Sequence, residues 1–184
     1  FASSSFNNDL NGWDVAAVTN LMNTFDSSTF NQDINGWDVA AVTILIGTFD
    51  ESSFNQDING WDVAAVTNLM STFEDSYWFN QELNGWDTSS VTTLDYIFSS
   101  TPFNQDLDKW DLSSVTSLKN TFKGAYAFNG KISGWDVTAS RNFEYMFTGA
   151  SDFNQCLEWS IDPTARILGM FTGSKGRLGE PGKC

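Results

Sequence analysis

The stretch Phe54-Asn55-Gln56-Asp57-Ile58-Asn59-Gly60-Trp61-Asp62-Val63-Ala64-Ala65-Val66-Thr67-Asn68-Leu69-Met70-Ser71-Thr72-Phe73 recurs, with drift, along almost the whole chain. Its tryptophan returns as Trp13, Trp37, Trp61, Trp86, Trp110, Trp135 and Trp159, at intervals of 24 or 25 residues. A fixed period in this range is the signature of stacked repeats, in which each unit buries its apolar face only against its neighbours. Within one copy the apolar positions run Ile34, Trp37, Val39, Val42 and Leu45. This is the leucine-rich-repeat pattern with Trp in a Leu position. The reading is a repeat solenoid, leucine-rich-repeat-like, of about seven 24–25-residue coils. Each coil is expected to carry a short parallel strand at Trp-Asp-Val, whose period of two sends Trp and Val inward and Asp outward. Thr67 to Phe73 is expected to make a short helical turn, because its apolar residues are three to four apart.

Working outward, seven Phe-Asn pairs begin at Phe6, Phe30, Phe54, Phe79, Phe103, Phe128 and Phe153. A second phenylalanine column lies twelve residues after each Trp, from Phe25 to Phe171. Both columns are candidate core. Between them lie four or five corner residues that absorb nearly all the length variation, as solvent-facing connections do. Asn-Gly at 11–12, 35–36, 59–60 and 84–85 marks a turn in each of the first four copies. The repeat implies one domain over residues 1–172, opening mid-repeat at Phe1, with a Gly-rich capping tail over 173–184. No N-terminal cap is visible, so the first coil is expected to show a free edge unless more protein precedes Phe1 or another molecule covers it.

The chain has 184 residues, 41% of them hydrophobic, and a net charge of −14. All nine basic residues lie at or after Lys109, so residues 1–108 hold 16 acidic and no basic side chains while 109–184 hold 7 and 9. Such a surface opposes nucleic acid and anionic membrane and favours cations, basic partners or head-to-tail contact, although acidity also serves plain solubility. No apolar run reaches the ~18 residues of a membrane-spanning helix, and no signal-peptide pattern is present.

The chain has no histidine, which removes Ser-His-Asp and Cys-His catalysis and His-ligated metal. The carboxylates repeat with the coil and no copy breaks the pattern as an active site would, so an enzyme is not expected. Asp14, Asp38, Asp62, Asp87, Asp111 and Asp136 form one column with two readings. They hold a shared cation such as Ca²⁺ or face a partner, or they cap the turns that follow them; the second is favoured, and no other cofactor is called for. The column Asp9, Asp33, Asp57, Glu82, Asp106 invites the same two readings. The stacked Asn of Phe-Asn is read as an asparagine ladder satisfying backbone groups. The threonine column Thr19, Thr43, Thr67, Thr92, Thr116 is read as turn residues rather than a binding surface. Tyr77, Trp78, Tyr96, Tyr126 and Tyr145 lie off the repeat positions and are the candidate partner contacts, Trp78 having the alternative of packing under its corner. Cys156 and Cys184 are the two cysteines, and a disulfide pinning the tail over the last coil is favoured over free thiols. Such a bridge implies an oxidising, extracellular setting.

The pattern Phe-Asn-Gln-Asp-Ile-x-x-Trp-Asp-Val-x-x-Val-Thr-x-Leu-x-x-x-Phe resembles the BspA-like surface repeats. These are a domain of unknown function found in mycoplasma lipoproteins, bacterial cell-surface proteins and secreted proteins of marine algae. The resemblance covers about residues 1–172. The family's usual Met before the second Phe is here Thr24, Thr48, Thr72, Ile97 and Thr121, then Met146 and Met170. The resemblance implies a leucine-rich-repeat-like fold, extracellular or cell-surface placement and a role in adhesion or protein interaction, with no catalytic residues. The expectation is a non-catalytic module binding protein or glycan; the alternative is a structural protomer assembling with like chains in a filament or coat.

Overall fold

In the computed structural model, which describes every residue except Pro181, each copy of the repeat lies directly on the next. The second copy illustrates the coil. Trp37 N donates to Ile34 O at 3.1 Å and Val42 N to Val39 O at 2.8 Å, closing turns on either side of Trp-Asp-Val. Three further turns follow at once, with Thr48 N on Leu45 O, Asp50 N on Gly47 O and Ser52 N on Phe49 O. The chain is bent at every few residues, and only short extended stretches remain.

Neighbouring coils join through the segment after Val-Thr. Leu45, Gly47, Phe49 and Glu51 donate their N–H groups to Asn68, Met70, Thr72 and Glu74 of the next coil, at 2.8–3.1 Å. Between them, Thr48 and Asp50 keep their N–H groups for turns inside their own coil. This division of donors is why no helix forms at Thr67–Phe73: alternate amides are already committed to the neighbouring coil, leaving no continuous i→i+4 series. The expected strand is also displaced. Trp-Asp-Val carries no bridge, and single parallel bridges run instead through Asn20, Ile44, Asn68, Thr93, Ser117, Asn142 and Arg166, seven residues beyond each Trp. Among the described residues the only two strands of more than one residue are β1 (Cys156–Leu157) and β2 (Arg177–Leu178), paired in parallel at the C-terminal end.

The repeated turns require left-handed backbone at two positions per coil. Residues 23, 47, 71, 96, 120, 145 and 169 have positive φ, as do 27, 51, 75, 100, 124, 149 and 173. In the second coil these are Gly47 and Glu51, each the third residue of a hydrogen-bonded turn, the place where a type II turn demands φ above zero. Gly, Asn, Asp and Ser fill most of these places; Tyr96 and Tyr145 do so at φ 62° and 57°, where bulky residues are seldom found.

Aromatic columns fill the core. Phe25, Phe49, Phe73, Phe98, Phe122, Phe147 and Phe171 stack at ring spacings of 5.5–5.8 Å. The Phe-Asn phenylalanines from Phe30 to Phe153 stack beside them, each about 4 Å from a ring of the first column. Trp37 to Trp135 are buried, and each donates its indole N–H to a carbonyl of the preceding coil, Trp37 to Leu10 O at 3.0 Å and Trp135 to Leu107 O at 2.8 Å. Trp13, in the first coil, is 54% exposed.

Polar ladders accompany the aromatic ones. Each Asn of Phe-Asn accepts the backbone N–H of the next one along, from Asn7–Asn31 to Asn129–Asn154, at 2.8–3.2 Å. The expected asparagine ladder is thus present, and glutamine side chains of the same motif add a second donor to five of its six rungs. The buried hydroxyls of Thr48, Thr72 and Thr121 each lie within reach of two carbonyls, one in their own coil and one in the coil before. In place of an apolar Met, these threonines bridge adjacent coils.

Candidate interaction surface

The aspartates that follow the tryptophans are exposed, and each accepts the backbone N–H two residues on. Asp14 holds Ala16 N, Asp38 Ala40 N, Asp62 Ala64 N, Asp87 Ser89 N, Asp111 Ser113 N and Asp136 Thr138 N, at 2.8–3.2 Å. At two of the turns that also offer a hydroxyl, that group binds the carboxylate as well. Ser89 and Thr138 do so at 2.7 and 2.6 Å, and these bonds hold Asp87 and Asp136 below the usual carboxylate range. The geometry gives this column the turn-capping role. Among the described residues no three His, Cys, Asp or Glu side chains converge as metal ligands. The second acidic column behaves alike at its start, Asp9, Asp33 and Asp57 capping Asn11, Asn35 and Asn59. Asp106 instead pairs with Lys131, 2.9 Å from its ammonium and 2.8 Å from its backbone N.

Cys156 and Cys184 form a disulfide across 28 residues of chain. The tail comes back over the last coil with Lys175 N on Phe153 O, Arg177 N on Gln155 O and Gly179 N on Leu157 O. Gly179 lies against both sulfur atoms, in space that a Cβ would occupy; a glycine is needed there for the tail to close. Cys184 N also donates to the Glu158 carboxylate at 3.1 Å.

The five aromatics named from the sequence do not form one patch. Tyr77 and Trp78 sit side by side on a corner, 66% and 67% exposed, so Trp78 does not pack beneath its loop. Tyr126 occupies the equivalent corner two coils on, 58% exposed. Tyr96 and Tyr145 belong to the left-handed column, on a different part of the coil. Tyr96 is half-buried with the Lys119 ammonium 5.9 Å from its ring centre.

One cluster was not singled out from the sequence. Asp26, Asp50 and Glu74 occupy the same corner position in successive coils, with Glu51 and Asp75 next to them. Burial, reinforced by Glu74, Asp26, Glu51 and Asp75, pushes the Asp50 carboxyl up to about 7, and one of its oxygens is buried without a hydrogen-bond partner. Burial likewise raises Glu74, opposed by the Ser71 hydroxyl at 2.7 Å. Asp75 accepts the Tyr77 hydroxyl at 3.3 Å, and its charge raises the pKa of that phenol. A 24-residue comb of acidic positions was the sequence signal for this cluster. The ion pair of buried Glu144 with exposed Arg166, 2.8 Å apart, had no such signal, because both residues fall where other copies carry unrelated side chains. A polar groove of about 390 Å³ also opens between coils, lined by Asn59, Glu82, Asn84, Gln105, Asp106 and Lys109 among others.

A family model described as "Mycoplasma protein of unknown function, DUF285" matches residues 1–102 and 79–178, two overlapping stretches that together span nearly the whole chain. No curated protein and no solved structure matches it.

Proposed function

The chain belongs to the family of Mycoplasma proteins of unknown function DUF285, and on that premise we propose that it is a BspA-like, leucine-rich-repeat-like solenoid serving as a non-catalytic interaction or adhesion module outside the cell or on its surface. Its partner is a protein or a glycan. The observation that carries this reading is the exposure of Tyr77, Trp78 and Tyr126 at the corners where coil length varies. A monodisperse soluble chain gains nothing in stability from large rings held in water, whereas such rings are frequent anchors of binding. The disulfide agrees with an oxidising setting. The chemistry of catalysis is poorly served by carboxylates already engaged as turn caps.

The test is a panel of immobilised extracellular proteins and glycans probed with the purified chain. Saturable binding to a panel member, without turnover of it, is the expected result; substrate turnover in place of binding would overturn the proposal. A second reading, assembly with like chains into a filament or coat, draws on an apolar concavity lined by Ile167, Met170, Phe171 and Leu178. Light scattering on size-exclusion chromatography at low and high salt separates the two, since assembly gives salt-dependent polymers and a binding module gives a monomer.

A further inference from the structure

Coils of 25 residues carry five corner residues where most 24-residue coils carry four, and between Trp61 and Trp86 that corner ends in Ser76-Tyr77-Trp78 before Phe79. Phe79 N donates to Ser76 O at 3.2 Å, closing a turn with the two aromatics at its tip. Ser76 and Phe79 are both fully buried. The core beneath the turn is therefore filled by its own flanks, and neither ring can withdraw into it. Tyr77 and Trp78 are held outward by the backbone.

The ground around them is negative. Asp75 accepts the Tyr77 hydroxyl, and Glu51 of the preceding coil is close enough to act on the same phenol. Asp26, Asp50 and Glu74 continue the acidic column across three coils, Asp50 only part-ionised near pH 7, at a spacing set by the 5.6 Å stacking of the rings beneath. Lys123 acts on this cluster through Glu74, and residues 1–108 contain no basic side chain. An anionic partner is repelled here, and a purely apolar one would bury carboxylates without a counter-charge. A guanidinium or ammonium group satisfies both features, lying over an aromatic face while it meets a carboxylate.

We propose that the Tyr77–Trp78 turn and its acidic surround dock a Lys- and Arg-rich segment of a partner protein. The rings anchor one cationic side chain, and the column Asp26, Asp50, Glu74 with Glu51 and Asp75 receives those that follow along an extended segment. The column spacing is near the rise of two extended residues, about 6.6 Å, so alternate side chains of such a segment meet successive coils. This inference rests on the reading of the chain as an interaction module and gives that module its partner chemistry.

The experiment is fluorescence anisotropy with a labelled oligo-arginine peptide and an oligo-glutamate of equal length, on the full chain and on two variants of this corner. The wild type is expected to bind oligo-arginine and not oligo-glutamate, with affinity that falls as salt rises. Tyr77→Ala with Trp78→Ala should weaken binding roughly tenfold through loss of the cation–π contacts. Glu51→Gln with Asp75→Asn should weaken it too and flatten the salt dependence. Absence of oligo-arginine binding overturns the proposal. So does binding that the acidic variant loses but the aromatic variant keeps, for that is unspecific charge attraction. If both variants bind a partner from the protein and glycan panel as the wild type does, the docking site is wrong while the module reading stands. A blank panel together with no peptide binding removes both.

Discussion

Asp50→Asn separates the cost of the acidic corner from its packing. The Asp50 carboxyl is raised from 3.8 to about 7, first by burial and then by Glu74, Asp26, Glu51 and Asp75. With the folded value above the unfolded one, the folded chain holds a proton between about pH 4 and pH 7 that the unfolded chain has already lost. The stability associated with that proton is complete below about pH 4 and disappears as pH climbs through 7. At 1.36 kcal/mol per pH unit the full difference is at most ~4 kcal/mol. Asp50 is only half-buried, so solvent and salt screening reduce it to about 1–2 kcal/mol. Asparagine removes the charge at nearly constant volume. In calorimetric scans the variant should melt about 2–8 °C above wild type near pH 8, taking 2–4 °C per kcal/mol for a chain of this size. Near pH 4 it should melt with wild type. A gain of equal size at both pH values would mean that repulsion and desolvation of a charged Asp50 are not its origin, and a loss near pH 8 would refute the reasoning outright.

Three more outcomes follow from the ladders and the cap. Cys184→Ser opens a loop of 28 residues, whose closure is worth ~3–4 kcal/mol; because repeats unfold in part, the effect should appear as faster hydrogen exchange at Arg177 and Gly179 while amides around Phe73 keep their protection. Asn80→Ala takes the acceptor from Asn104 N, now 2.8 Å away; at this exposed edge water replaces part of the bond, so the loss should be about 1 kcal/mol, read from denaturant unfolding and from faster exchange of the Asn104 amide. Tyr96→Asn relieves a bulky residue at φ 62° and should raise stability by ~0.5–1 kcal/mol, net of the lost contact with Lys119, in the same unfolding assay.

What the amino-acid sequence determined by itself is whatever the repeat states many times over. Seven tryptophans at a fixed interval dictate stacked coils, and two phenylalanine columns dictate the core, because a residue type that returns at every coil can meet only its own kind above and below. The asparagine ladder and the aspartate caps were legible for the same reason, each being a local polar habit copied from coil to coil. The disulfide was legible because only two cysteines exist, both near the same end. What only the tertiary structure decided is where the backbone spends its hydrogen bonds. Trp-Asp-Val alternates like a strand, yet the turns on either side leave it unpaired, and the bridges move to Asn20 and its equivalents. Thr67–Phe73 has helical spacing, yet alternate amides serve the next coil. Both choices depend on the register between coils, which no single copy encodes. The acidic corner belongs here as well: Asp26, Asp50 and Glu74 are unremarkable in their own copies, and become a strongly charged surface only when stacking sets them side by side around the turn that holds Tyr77 and Trp78 in water.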